Sequence, residues 1–269
     1  CTFFCSHLYA ETISTATTDD TTKTITEDLT ITSTGSRTCI DDNNHCIKVN
    51  AEGLTIINRG TLSNSGDDND TDIIIKAAGT DNADDVAIYN YGTMSATGNS
   101  TIFAINLEDN NGDGVGGYVY NSGTITAARI ISIRYHGSNL MKIDNYGTLT
   151  NSGSSGQVLY GYDDTNTTIN NYSSGTISSP NGKWTIHTNT PSSATYSTSL
   201  TLNNWGTITA PKETINLGIS STINNYGSII SENPDKYSII NKGNNNKVNL
   251  YDGTILVGYL DADTNSTSG

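Results

Sequence analysis

Apolar and polar residues alternate along this chain in short bursts that return at a regular distance. Ile143, Asn145, Gly147 and Leu149 share one parity, as do Ile88, Asn90, Gly92 and Met94, and Leu202, Asn204, Gly206 and Ile208. A period of two is that of a strand, whose successive side chains face opposite sides; a helix would repeat near 3.6. The burst recurs as Ile57-Asn-Arg-Gly-Thr-Leu62, Tyr89-Asn-Tyr-Gly-Thr-Met94, Tyr120-Asn-Ser-Gly-Thr-Ile125, Asp144-Asn-Tyr-Gly-Thr-Leu149, Asn171-Tyr-Ser-Ser-Gly-Thr-Ile177, Asn204-Trp-Gly-Thr-Ile208, Ile223-Asn-Asn-Tyr-Gly-Ser-Ile229 and Tyr251-Asp-Gly-Thr-Ile255. Between copies lies a further short apolar run, such as Ile102-Phe-Ala-Ile105 or Gln157-Val-Leu-Tyr160. Each repeat therefore predicts two or three strands and no helix.

The repeat glycines run from Gly60 to Gly253, on average about 28 residues apart, a period that marks a solenoid or an array. Strands too short to bury themselves are best satisfied by coiling, so that equivalent strands stack in parallel. The expected fold is an all-β parallel β-helix of eight to nine coils over residues 25–258, about 40 Å long at the strand spacing. Its inward Ile, Leu, Val and Met form aliphatic stacks. Asn58, Asn90, Asn121, Asn145, Asn171, Asn204 and Asn225 form an inward amide ladder at a turn. The glycine two places later is expected to let the chain turn there.

The residue between Asn and Gly has outward parity: Arg59, Tyr91, Ser122, Tyr146, Tyr172, Trp205, Tyr226 and, in the degenerate last copy, Tyr251. Stacked coils place these rings in one column. Such a column either protects the turn by stacking or offers a contact surface to a glycan, a partner protein or a second rod.

At the ends the pattern fades. Residues 1–10, apolar and uncharged and ending in Ala10, read as the remnant of a secretory signal, although Leu8 is larger than a cleavage site prefers. Residues 11–24 read as a lead-in or cap, and residues 259–269 as a polar tail. Cys39 and Cys46 close a short loop and, in an exported chain, point to a local disulfide; a metal site with His45 would need a fourth ligand that the sequence does not offer. Composition fits export. The net charge is −14, from 13 basic and 27 acidic residues, which argues against nucleic acid or an anionic membrane as partner. No apolar run is long enough for a transmembrane helix.

Two acidic insertions interrupt the repeats, at 66–72 and 108–114. The second contains Asp109-x-Asn111-x-Asp113-Gly114, the first half of a calcium loop, with alternate oxygen ligands around a glycine turn. Tyr120 stands where the closing acid belongs, so a bound Ca2+ would need a ligand from a neighbouring coil; the alternative is a solvated loop. The four histidines are scattered and no nucleophile or metalloprotease motif is present. Carboxylates are abundant enough to keep a glycosidase or lyase pair as the rival to binding. Arg129, Arg134 and Lys142, around an ordinary strand and turn, are the clustered bases available to partner such a pair.

The repeated Asn-Tyr-Gly-Thr, Asn-Ser-Gly-Thr-Ile and Asn-Trp-Gly-Thr-Ile resemble the passenger regions of bacterial autotransporters over residues 25–258. The resemblance implies a right-handed β-helix displayed at a bacterial cell surface or released outside it. It lies in scaffold positions and carries over no functional residue. Passengers include adhesins, aggregation factors, proteases and toxins; the Gly-Asp-Ser-Gly-Ser-Pro motif of the serine protease passengers is absent here. Together these features lead to an expectation of adhesion, glycan or partner binding, or self-association, rather than catalysis.

Overall fold

A computed structural model describes residues 10–40, 45–65, 73–78, 85–96, 103–108, 117–134, 140–154, 157–162, 166–182, 184–188, 199–241 and 245–261. Within them the chain forms thirty short strands and no helix. They stack into three parallel sheets of ten strands each, in which every third strand in sequence is a neighbour. This is a parallel β-helix.

One strand from each sheet makes a coil. The first sheet, A, is built from Glu11–Ile13, Leu29–Ile31, Thr55–Asn58, Val86–Asn90, Gly117–Asn121, Leu140–Asn145, Asn166–Asn171, Ser199–Asn204, Thr222–Asn225 and Lys247–Leu250. Sheet B succeeds it across the Asn-x-Gly corner, and sheet C succeeds B. The coils number ten rather than eight to nine. The additional coil lies at the N-terminal end, where residues 11–25 pair in register with 29–49, which pair in turn with the third coil; neither of these two coils carries an Asn-x-Gly-Thr copy. Residues 11–24, expected as a lead-in or cap, thus form most of the first coil, and Tyr259–Leu260 closes the last. The expected signal remnant lies outside the described residues except for Ala10, as does the tail from 262 onward.

Register aligns like with like. Leu29, Ile56, Ile88, Val119, Ile143, Ile169, Leu202 and Ile223 form one inward column on sheet A. Leu62, Met94, Ile125, Leu149, Ile177, Ile208 and Ile229 do the same on sheet B, and Ile47, Ile75, Ile105, Ile131, Leu159, Ile186, Ile215 and Ile239 on sheet C. All are buried in one continuous core. At roughly 25 cal/mol per Å² of apolar surface, these columns supply the main driving force for coiling.

The first coil closes the open mouth of this core. At the three inward positions where later coils carry aliphatics it has Glu11, Thr17 and Lys23, and Lys23 forms an ion pair with Glu11. Behind them Arg37 replaces the aliphatic of sheet B. It is buried, and donates to the carbonyls of Cys46 (3.2 Å) and Thr21 (2.7 Å) and to the Asp19 carboxylate (3.0 Å). Hydrogen bonds from the Thr21 hydroxyl and amide, with the Arg37 contact, hold the Asp19 carboxyl below its ordinary pKa. The Cys39–Cys46 disulfide, buried beside this group, ties the end of the sheet B strand Ser36–Cys39 to the start of the sheet C strand Ile47–Val49.

Candidate functional site: the asparagine and aromatic columns of the A to B corner

The corner between sheets A and B is the most regular part of the molecule. Asn58, Asn90, Asn121, Asn145, Asn171, Asn204 and Asn225 are wholly buried there. Each of the first six donates from Nδ2 to Oδ1 of the next, at 2.7–2.8 Å. Their backbone carbonyls each accept from the next coil, for example Asn90 O from the amides of Ser122 (2.8 Å) and Gly123 (3.2 Å). Every inner polar group at the turn is thereby paired, which is what makes a buried amide column tolerable.

The glycines at this corner are needed for closeness rather than for handedness of the backbone. A Cβ on Gly92, Gly123 or Gly147 would lie 2.0–2.1 Å from the carbonyl oxygen of the glycine one coil earlier. None of these three has a positive φ; among the glycines that do, Gly253 is the one belonging to the repeat.

Outside the amides stands the aromatic column. Arg59 lies over the Tyr91 ring at 4.8 Å. From Tyr91 the rings continue through Tyr120, Tyr146, Tyr172, Trp205 and Tyr226 to Tyr251, with successive centroids 4.0–5.6 Å apart. Ser122 would break the run, but Tyr120, two residues earlier and of the same parity, leans across the gap. From Tyr146 onward the planes are within 15° of parallel. Ring faces are therefore turned to each other, and edges and hydroxyls face solvent: Tyr91, Tyr146, Trp205, Tyr226 and Tyr251 are each about 40% exposed, and Tyr172 is half-buried. A sugar ring stacking on an aromatic face needs a free face, so contact along this column is edge contact.

A second amide column runs beside the rings on the outer face of sheet A. Asn249 donates to Asn224 (2.7 Å), Asn224 to Asn203 (2.9 Å), Asn203 to Asn170 (2.8 Å), and Asn170 to Asp144 (2.7 Å). Asp144 is buried and also receives the Tyr118 hydroxyl (2.7 Å) and the Lys142 ammonium (2.8 Å). Burial by itself would raise the Asp144 carboxyl. The hydrogen bonds from Lys142, Asn170 and Tyr118, with the Lys142 charge, outweigh it and hold the group below the usual carboxylate range. Burial and the bond to Asp144 push the Tyr118 phenol up.

The signal for this outer column is in the sequence. Asn170-Asn171, Asn203-Asn204 and Asn224-Asn225 are doublets, and at period two one amide of each must face out. The displacement of an aromatic to Tyr120 is also visible as outward parity two places before Ser122.

The remaining expected sites fare differently. Asp109, Asn111 and Asp113, the candidate Ca2+ ligands, lie outside the described residues. Cys39 and Cys46 are joined to each other, so their thiolates are not available to a metal with His45. The bases near one another in sequence do not form one group: Arg129 and Arg134 lie on a sheet C strand, with Arg129 over the Phe103 ring at 5.2 Å, whereas Lys142 is on sheet A. Among the described residues no three His, Cys, Asp or Glu side chains converge as a metal site, and no helix is long and apolar enough to cross a membrane. Compared with protein-family models, curated proteins and solved structures, the chain matches none.

Proposed function

We propose that this β-helix is an exported, surface-displayed rod that acts by contact, binding a linear polar partner along the edge of the aromatic column. The observation that carries this is the strip itself: rings over seven coils, flanked by Asn170, Asn203, Asn224 and Asn249 on sheet A and by Thr148, Thr176, Thr207 and Ser228 on sheet B. It offers amides, hydroxyls and ring edges at a repeat of about 4.8 Å, suited to an extended glycan chain or to the same edge of a second rod. The disulfide supports an oxidising compartment, and the resemblance to autotransporter passengers supports display at a bacterial surface.

The test is a glycan array read with the purified rod, alongside sedimentation for self-association. Replacing Trp205 and Tyr226 together with Ser should abolish binding in a protein whose β-sheet circular dichroism is unchanged. Binding that survives in the folded double variant refutes the strip as the contact site. The rival reading, a carbohydrate-active β-helix, has its support in the Tyr118, Lys142 and Asp144 cluster. It requires that a bound glycan be cleaved, with new ends appearing over time, and that Lys142→Ala stop the cleavage.

A further inference from the structure

The aromatic column contains a chemical singularity that binding does not use. The chain has fifteen tyrosines. Among the described tyrosine–tyrosine pairs, two are face to face: Tyr146 with Tyr172 at 4.0 Å and 6°, and Tyr226 with Tyr251 at 4.0 Å and 13°. The others, 89 with 118, 89 with 120, 91 with 120, 120 with 146, and 237 with 259, are 5.3–6.1 Å apart and tilted by 37–72°. We propose that these two stacked pairs are oxidative cross-linking sites, each coupling to a dityrosine that staples one coil to the next.

Three features prepare them. Their edges are open to an oxidant, with Tyr146, Tyr226 and Tyr251 exposed by 38–42%. Their backbones are fixed in register, since the Tyr172 amide donates to Asn145 O (2.9 Å) and the Tyr251 amide to Asn225 O (3.1 Å). Their phenols feel one another: Tyr172 pushes the Tyr146 phenol up, and Tyr251 does the same to Tyr226. Rings that are near parallel with centroids 4.0 Å apart bring ring carbons of the two phenols into van der Waals contact. Trp205 stacks between the pairs, 5.6 Å from Tyr172 and 5.3 Å from Tyr226, and joins them into one run along which an oxidised ring can pass its electron deficit.

The step balances with a haem peroxidase and hydrogen peroxide as oxidant. Each phenol of a pair gives up one electron and its hydroxyl proton. The two ortho carbons form a carbon–carbon bond, and the hydrogen on each then moves to the ring oxygen, restoring both aromatic rings. Hydrogen peroxide takes the two electrons and two protons and leaves as two waters. The product has lost two hydrogens and, unlike the disulfide at the other end of the rod, resists thiols.

The experiment treats the dilute full chain with a haem peroxidase and hydrogen peroxide, then reads dityrosine fluorescence, migration on a denaturing gel and the masses of cross-linked peptides. The expected result is a protein that still migrates as one chain, with cross-links joining 146 to 172 and 226 to 251. Tyr172→Phe and Tyr251→Phe keep the stack but lack the phenol. Each should roughly halve the fluorescence by removing its own cross-link, and the pair together should reduce it to background. No dityrosine in the folded protein, cross-links mapped to other pairs or between chains, or fluorescence undiminished in the double variant would each overturn the proposal.

Discussion

Asn145 shows how much one side chain is asked to do. It accepts from Asn121, donates to Asn171 and reaches the Gly147 carbonyl at 3.2 Å, while wholly buried. Asn145→Leu leaves the Asn171 oxygen unpaired and the Asn121 amide with only its 3.3 Å bond to the Thr148 carbonyl, so it should cost about 1–3 kcal/mol. Asn58→Leu, at the column's start, orphans both the Asn90 oxygen and the Gly60 backbone amide and should cost at least as much; denaturant melts of the two variants side by side read the difference. Gly147→Ala is harsher, because its Cβ would sit 2.1 Å from a backbone oxygen that cannot rotate away. Coils on either side would have to part, and the expected outcome is an insoluble chain or a thermal midpoint lowered by more than in either Asn variant.

At the scale of the strand and the coil, the polar end of the core can be tested through Arg37. Arg37→Leu restores the aliphatic that Leu62 supplies one coil later but leaves the carbonyl of Thr21 without its donor and the Asp19 carboxylate without its cation. Amide exchange in residues 11–25 should then accelerate by about tenfold or more, at 1–3 kcal/mol, while coils beyond the third keep their protection. The sequence discloses elements in proportion to how strictly they repeat. Asn-x-Gly-Thr is set by close backbone contact and buried amide pairing, two demands that few residues meet, so every coil bearing it was legible. The first coil was legible as a lead-in or cap but not as a coil, because beside Ile13 and Ile25 its other inward positions carry Glu11, Thr17 and Lys23. The rings were legible as a column but not as a stack, since parity says which side a ring takes and not whether it turns its face or its edge outward. The outer amides escaped for a related reason, as a doublet reads as one polar turn until the partner coil is in place.

Over the whole molecule, Asp144 links the outer amide column to pH. Its carboxyl is held below the ordinary value of 3.8, so ionised Asp144 stabilises the rod above that value, and the contribution is lost as pH falls through the depressed pKa of the folded state. Thermal midpoints from neutral pH down into this acid range should fall more steeply for the unaltered chain than for Asp144→Asn, which keeps an acceptor for Asn170 but has no charge to lose. Equal slopes would mean that other carboxylates govern the acid limb. The directions of the two columns have an electrical consequence as well. A side-chain amide carries a dipole close to that of a peptide unit, about 3.5 D, and hydrogen bonds made head to tail add such dipoles up. In the buried column every positive end points toward the C-terminal coils, and in the outer column every positive end points back. Where the two run side by side their fields oppose, and the positive pole of the outer one rests on the Asp144 carboxylate as an anion rests on a helix N-terminus. A coil carrying an Asn doublet therefore lengthens the rod without adding to its dipole, whereas a coil with a single inward Asn adds one uncancelled step.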